Sequence, residues 1–338
     1  MKKSVKILII VLSSILAVIL AGYVTVVILS TIGKNQLLKN DKNIVNVNVT
    51  VEEDGIVYKD HRYKLNPNII TILLIGIDKE GVNGSSNING LSGQADTLLV
   101  AAIDTETKEL TIIPVSRETL TDVNLYDISG NYVGVENKQV CLAYAYGKDV
   151  KQSSENVLLS VSRILFGINI SSYVTMDLDA LEKLSDSVGS IEVYVNETYY
   201  DPDSGIYYKE GRTIKVKGRS AVNYIHWRTD DVYANNFRME RQRSFMTAFM
   251  NKVADSVSKD YSKVVSYYNM MQPYISTNIT LPQTTYLATT CLKLRLGDSM
   301  QFKTVPGETA IVNGFSAFTP DYDALTDIVI DTFYNKIS

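Results

Sequence analysis

The sequence predicts an α/β fold, a three-layer α/β/α sandwich around a central mixed sheet, preceded by one N-terminal transmembrane helix. Continuous apolar runs at 69–78 and 97–103 have the length and β-branched content of strands buried on both faces. Segments with helical apolar spacing alternate with further strand signals, which is typical of α/β architectures. A charge-free run at 7–32 is long enough to span a bilayer.

The N-terminus predicts where the protein resides. Residues 1–6 contain three lysines, and residues 7–32 contain no charge. A cleaved signal peptide has a shorter apolar core, so we predict an uncleaved anchor. The positive-inside rule then places 1–6 in the cytoplasm, the anchor at 7–32 in the cell membrane and the residues from about 33 onward outside the cytoplasm, in a single-pass topology. We expect 33–66 to be an extracytoplasmic spacer and 67–338 to be the folded extracytoplasmic domain.

The first elements of the domain follow from apolar runs and turn residues. The strand at 69–78 precedes a Gly/Asn/Ser-rich loop at 79–93. The strands at 97–103 and 109–115 are separated by a short polar turn, which predicts a β-hairpin. We interpret 120–138 as a loop that contains a Ser-Gly-Asn turn.

The remaining elements alternate between helical periodicity and short apolar runs. Helices are predicted at 153–166, 179–187, 218–227, 236–258, 261–271, 281–294 and 321–334. Strands are predicted at 173–176, 191–195 and 302–306, with a β-rich segment at 197–216. These signals interleave without a linker, so we expect one continuous domain.

Charge and metal-ligand counts exclude several classes of protein. The net charge is −4, so the chain is not a basic nucleic-acid binder overall, and any basic site must be local. The two histidines, His61 and His226, and the distant Cys141 and Cys291 lack zinc-ligand spacing. The cysteines either pair in an oxidising compartment or remain buried thiols, and the sequence leaves both alternatives open.

A short segment concentrates four arginines within 16 residues: Arg228, Arg238, Arg241 and Arg243. Asn235 and Asn236 are good N-cap types, so Arg238 and Arg241 would share a face in the first two turns of a helix. Backbone N–H groups and the helix dipole favour anions there, and paired guanidinium groups can bind a pyrophosphate. The alternative is a solvated basic face on an ordinary amphipathic helix.

Two further polar groups lie at strand ends. Asp96 enters a buried strand, where a carboxylate is either a turn cap or a ligand for a hard metal. Arg117 and Glu118 follow the strand at 109–115, and the predicted hairpin brings them near Asp96. Two carboxylates and one arginine at one sheet edge, beside an arginine-rich helix, indicate magnesium and a pyrophosphate.

The order of these motifs is similar to that of a known family. A single anchor is followed by LLIGID, GQADTLLVAAID, IIPVSRET, AYAYG and FRMERQRSFM. This order resembles the LytR-CpsA-Psr family of extracytoplasmic cell-wall proteins from about Asn68 to Phe249, and more weakly to the C-terminus. The resemblance implies an apolar tunnel for a polyprenyl chain, with the pyrophosphate and Mg²⁺ (or Mn²⁺) at its mouth. The implied activity is that of a phosphotransferase, which transfers a polyprenyl-(pyro)phosphate-linked glycopolymer (teichoic acid or capsular polysaccharide type) onto peptidoglycan.

The resemblance also implies roles for individual residues. Asp96 and Glu118 would bind the metal. The catalytic residues would be Asp96, Arg117, Arg238 and Arg241. The residues that would bind the pyrophosphate are Gln94, Arg117, His226, Arg228, Arg238, Arg241 and Gln242.

Four positions depart from the family pattern. Gln94 and His226 stand where arginines are usual, Glu118 replaces an aspartate, and Asn235 replaces a common acidic residue. Loss of two arginines weakens the implied phosphate clamp, although His226 can still donate a hydrogen bond. Two alternatives therefore stay open: a non-catalytic polyprenyl-phosphate-binding or regulatory envelope protein, and a polyprenyl pyrophosphatase.

Overall fold

The computed structural model describes residues 24–38, 50–52, 55–77, 93–227, 234–260, 262–291, 300–312 and 314–337. The helices are α1 (24–37), α2 (Val150–Ile164), α3 (Leu178–Val188), α4 (Arg219–His226), α5 (Ala234–Lys259), α6 (Lys263–Met271), α7 (Leu281–Cys291) and α8 (Tyr322–Phe333), with a 3₁₀ helix at Val140–Tyr146. The first nine strands are β1 (Thr50–Glu52), β2 (Gly55–Tyr58), β3 (His61–Leu65), β4 (Ile69–Ile77), β5 (Ala95–Asp104), β6 (Leu110–Val115), β7 (Leu120–Tyr126), β8 (Tyr132–Gln139) and β9 (Ser172–Met176). The others are β10 (Ile191–Tyr194), β11 (Tyr199–Asp201), β12 (Ile206–Tyr208), β13 (Thr213–Val216), β14 (Ile275–Thr277), β15 (Met300–Phe302), β16 (Gly307–Val312), β17 (Phe315–Pro320) and β18 (Tyr334–Lys336).

The central sheet has six strands in the order β14-β9-β4-β5-β6-β15. β4 pairs antiparallel with β5 and parallel with β9, so the sheet is mixed, as the sequence predicts. β4, β5 and β6 are buried along nearly their whole length, which explains their continuous apolar runs. The predicted hairpin is confirmed, since β5 and β6 are antiparallel neighbours.

Helices cover both faces of this sheet. On one face, buried side chains of α2, α8 and the 3₁₀ helix form a core cluster with β4 and β5. On the other face, Leu37 of α1 is buried with the strands, and partly buried side chains of α5 and α7 pack against that cluster. A third cluster joins α3, α4 and α5 to β10 and β13. The α/β prediction with helical layers on each face is therefore confirmed.

The segment 120–138, predicted as a loop, is instead the antiparallel β7–β8 hairpin. Strand β7 buries Val123 completely, and its Leu120–Tyr126 stretch lies against the 3₁₀ helix and α2. Strand β8 is mostly exposed, so it lacks the apolar alternation that identifies a half-buried strand. A second hairpin, β16–β17, follows β15 where the sequence showed only a turn, and β15 itself ends at Phe302 rather than at residue 306.

The N-terminal predictions fall partly outside the described residues. Of the predicted anchor at 7–32, only 24–32 is described, within α1. Among the helices of the described ranges, none has both the length and the apolar character needed to cross a membrane. In the segment predicted as a spacer, α1 ends with Leu37 buried in the core, and β2 pairs with both β1 and β3.

Candidate functional site

The start of β5 places a carboxylate and a hydroxyl side by side. The register of β4 against β5 shifts here, so that Asp96 is an extra residue and forms a β-bulge. Ala95 and Leu98 both belong to the core cluster on one face of the sheet. Because side chains in a regular strand alternate, the bulge turns Asp96 and Thr97 together toward the opposite face, which is covered by α5.

Arg117 forms an ion pair with Asp96, as the hairpin predicts. The two side chains are 21% and 13% exposed, so the pair lies at the surface end of the sheet rather than in the core. The backbone of Arg117 is fixed because its carbonyl accepts a hydrogen bond from the N–H of Cys141 at 3.1 Å. A guanidinium group has five N–H donors, so Arg117 can bind a phosphate oxygen while it keeps Asp96.

Glu118 points toward β17. Its carboxylate accepts a hydrogen bond from Ser316 Oγ at 2.9 Å, and its carbonyl accepts one from the N–H of Phe318 at 3.0 Å. Proteins bind Mg²⁺ through one or two carboxylates and use substrate phosphates and waters as the other ligands. Asp96 fits that description. Within the described part of the chain, no three acidic, histidine or cysteine side chains converge, so Asp96 would depend on the substrate to complete a metal site.

One face of α5 lies over the start of β5. Gln242 donates from Nε2 to Thr97 Oγ1 at 3.1 Å, and one turn later Met246 lines the same pocket as Leu99. α5 and β5 therefore run in the same direction here. Arg238 is one turn before Gln242 on the same face and is 5% exposed. This spacing places Arg238 toward the strand end that carries the ion pair.

Arg241 is 1% exposed, and its nitrogens contact protein groups. Nε donates to the carbonyl of Tyr224 at 2.9 Å, Nη1 donates to the Glu197 carboxylate at 2.7 Å, and Nη2 donates to the carbonyl of Trp227. The guanidinium also lies 5.2 Å from the centre of the Trp227 ring. Burial lowers the pKa of Arg241, and the Glu197 charge opposes that effect. These contacts hold the end of α4, and with it His226, against α5. Direct contact between Arg241 and a phosphate stays a prediction.

An apolar pocket opens behind Thr97 and Gln242. It has a cavity volume of about 100 Å³ and lies between the central sheet and α3, α4 and α5. His226, in the last turn of α4, is one of its few polar lining residues. A second apolar pocket, with a cavity volume of about 270 Å³, lies between α5, α6 and α7 and includes Met250, one turn beyond Met246. The same face of α5 therefore runs from the polar end past the first pocket to the second.

The structure brings together most, but not all, of the predicted site residues. Gln94 lies two residues before Asp96, and Arg228 lies outside the described residues. Thr97 and Glu197 were not predicted, because their roles depend on contacts with α5, which is distant in sequence. Gly76 could have been identified from the sequence, because an isolated glycine inside a strand often marks a position where another residue approaches the backbone closely. A Cβ at Gly76 would lie 3.0 Å from the Cβ of Thr97.

Cys141 lies close to the ion pair, and its thiol is free in the structure. Burial raises its pKa to about 11, although the Arg117 charge acts to lower it. We expect Cys141 in a Cys291→Ser variant to resist thiol reagents at pH 8 and to react fully in denaturant. An Ellman titration measures both states, and rapid modification of the folded protein would contradict the burial.

The raised pKa of Cys141 also predicts how stability depends on pH. The contribution of this thiol to the free energy of unfolding should be constant below about pH 8.5 and should fall at higher pH, because the thiol of the unfolded chain ionises first.

Comparison with known proteins shows which sequences this chain is similar to. The model of the LytR_cpsA_psr family matches residues 26–331. The polyisoprenyl-teichoic acid–peptidoglycan teichoic acid transferase TagU of Enterococcus faecalis is 28% identical over 253 residues, which cover 73% of this chain and 75% of that protein. The transferase TagV of Bacillus subtilis is 24% identical over 220 residues, which cover 63% of this chain and 50% of that protein.

Solved structures share the fold. The crystal structure of B. subtilis TagV has a TM-score of 0.63 at 20% identity and covers 78% of this chain and 96% of its own. A structure of TagT bound to LI-WTA has a TM-score of 0.57 at 17% identity and covers 78% of this chain and 89% of its own. Because the family model spans nearly the whole folded region, the chain belongs to the LytR-CpsA-Psr family.

Proposed function

We propose that the protein transfers a polyprenyl-(pyro)phosphate-linked glycopolymer, of the teichoic acid or capsular polysaccharide type, onto peptidoglycan. The observation that carries this proposal is the Asp96–Arg117 ion pair next to Thr97, which lines an apolar pocket together with Gln242 of α5. Relatives are named as transferases of polyisoprenyl-linked teichoic acid to peptidoglycan, which supports the same reaction class. We also propose a single-pass protein of the cell membrane with its domain outside the cytoplasm.

The pocket suits the lipid part of such a donor. Its walls are mainly aliphatic, aromatic and methionine side chains from the sheet and three helices. An isoprenoid chain that enters it leaves water and gains free energy in proportion to the apolar area buried. The polar end of the donor would then lie at Thr97, His226 and Gln242, where the pocket meets hydrogen-bond donors.

Arginines near the polar end of the pocket can bind the pyrophosphate of the donor. Arg117 can donate to a phosphate oxygen from the sheet side, and Arg238 can do so from α5. Asp96 would hold Mg²⁺ (or Mn²⁺), and the ion would neutralise part of the phosphate charge when bound. Gln94, His226 and Gln242 add neutral or titratable donors, which bind phosphate less strongly than the arginines usual at the first two positions.

The reaction exchanges the phosphoanhydride bond of the donor for a phosphodiester bond to peptidoglycan. A sugar hydroxyl of peptidoglycan attacks the phosphorus that carries the glycopolymer, and the bond from that phosphorus to the bridging oxygen breaks. Polyprenyl phosphate leaves with the bridging oxygen, and the hydroxyl proton is released to water. Arg117 and Arg238 lower the barrier because their fixed charges oppose the negative charge that develops on the phosphate oxygens.

The proposal is tested on the full chain in detergent with a lipid-linked glycan donor and peptidoglycan. Arg117→Ala should lower the transfer rate by about 100-fold, because one preorganised donor is lost. Arg219→Ala is the matched control, since Arg219 is about half exposed at the far end of α4 and should leave the rate unchanged. Full activity of Arg117→Ala would contradict the assignment of this site.

A second candidate is a non-catalytic polyprenyl-phosphate-binding protein, which the glutamine and histidine at positions 94 and 226 favour. This alternative predicts co-purified polyprenyl phosphate without transfer. It also predicts that Gln94→Arg and His226→Arg together fail to produce activity. Restoration or enhancement of transfer by the double variant would support the transferase instead.

A further inference from the structure

Helix α1 packs along α7. Ser30 Oγ lies 3.5 Å from Thr289 Oγ1, which joins the two helices near the C-terminal end of α7. A Cβ on Gly33 would lie 2.1 Å from the carbonyl oxygen of Pro282, so only glycine lets the two backbones approach this closely. One turn later Leu37 is 1% exposed within the sheet core. The C-terminal part of α1 is thus a packed element of the domain.

The face of α1 that turns away from the domain is also apolar. Its large exposed side chains, between 42% and 52% exposed, are Val24, Val27, Ile28 and Ile32. The first charge of the helix, Lys34, follows directly after this patch and is exposed. A helix that is apolar on its packed face and on its free face is typical of a membrane segment rather than a water-exposed one. The patch continues a charge-free sequence that begins at Ile7, so we assign the lipid bilayer as its partner.

Helix α7 separates α1 from the second apolar pocket. Pro282 and Thr289 face α1, whereas Thr284 and Ala288 line the pocket between α5, α6 and α7. These two pairs lie on opposite sides of α7 because of the 3.6-residue period. The pocket therefore lies about one helix diameter, roughly 10 Å, from the side of α1 that packs against α7.

We infer that α1, docked on α7, holds the second pocket at the bilayer surface, so that a polyprenyl chain passes from the membrane into the protein without crossing water. This inference rests on the proposed function, since it assumes a polyprenyl donor. The apolar face of α5 continues from Met250 to Met246 and then to Gln242. A chain that enters beside α7 would therefore follow the apolar face of α5 toward the phosphate end of the site.

Disulfide cross-linking tests the docking in native membranes. In a Cys141→Ser, Cys291→Ser background, the pair Ser30→Cys and Thr289→Cys should cross-link under mild oxidation and change the electrophoretic mobility. The matched control is Ile28→Cys with Thr289→Cys, because Ile28 is two residues away and lies on the opposite side of α1. Equal cross-linking of the two pairs, or none in the first pair, would overturn the docking.

A point variant tests the consequence for lipid entry. Gly33→Leu should clash with Pro282 and release α1 from α7 without removing the apolar segment, whereas Ile32→Leu, at an exposed position, should not. We expect Gly33→Leu to lose the cross-link and to lower transfer from polyprenyl-pyrophosphate donor in phosphatidylglycerol vesicles by about tenfold, with donor in detergent micelles used equally well.

Equal loss of activity with both donor forms, or no loss with either, would overturn the inference. If the wild-type protein is inactive with both donor forms, that result contradicts the proposed transferase function instead. The cross-link would still decide whether α1 is docked, so the two failures are distinguishable.

Discussion

Arg238→Ala is expected to lower the transfer rate by about 10²- to 10³-fold while the fold is retained. Arg238 is buried on the face of α5 that also carries Gln242, which is bonded to Thr97 beside the Asp96–Arg117 pair. Negative charge develops on the phosphate oxygens in the transition state. A buried guanidinium that is held in place therefore stabilises the transition state more than the bound donor. The rate is measured with lipid-linked donor and peptidoglycan at saturating donor concentration.

Two variants separate this role from a purely structural one. Arg238→Lys keeps the charge but loses the two-pronged donor geometry, so its rate should fall between those of wild type and Arg238→Ala. Arg243→Ala, on an exposed position of the same helix, should leave the rate unchanged. If Arg238→Ala unfolds at the wild-type temperature and transfers at the wild-type rate, Arg238 does not bind the pyrophosphate.

Arg241→Ala is expected to lower the free energy of unfolding by about 3 kcal/mol. The substitution removes donors to two carbonyls at the end of α4 and leaves the Glu197 carboxylate without its buried partner. Urea unfolding of the full chain in detergent measures the change by circular dichroism. Trp227, the only tryptophan in the chain, reports the local change because its ring lies against Arg241.

Arg243→Ala is the matched control for stability as well. It lies two residues further along α5 and is about half exposed, and its side chain makes a long contact to Glu240 and a ring contact to Phe302. Its effect should stay within about 0.5 kcal/mol. A similar loss of stability in both variants would show that the contacts of Arg241 to Tyr224, Trp227 and Glu197 do not anchor α4.

Much of the site could be predicted because it depends on local order along the chain. The apolar runs identified β4, β5 and β6, and the short turn between the last two fixed them as antiparallel neighbours. That pairing alone brings Arg117 to Asp96, and the ion pair confirms it. The i,i+3 spacing likewise predicted that Arg238 and Arg241 would share a face of one helix, and the structure places both in α5, where both side chains are buried.

The remaining features depend on contacts that no local pattern encodes. The bulge at Asp96 arises from the register of β5 against β4. The role of Arg241 depends on Glu197, which is 44 residues away in sequence and accepts a hydrogen bond from its Nη1. The β7–β8 hairpin was missed because β8 exposes most of its residues and so shows no buried face.

The most direct test of the proposed activity is a product balance from one reaction of the purified full chain with lipid-linked glycopolymer and peptidoglycan. Mass spectrometry of digested peptidoglycan should detect a phosphodiester-linked glycopolymer. Polyprenyl phosphate should appear in equal molar amount, and both products should fall together in Arg117→Ala and Arg238→Ala. Polyprenyl phosphate without linked glycan would show a pyrophosphatase, and bound donor with neither product would show a non-catalytic binder. Either result would contradict transfer to peptidoglycan.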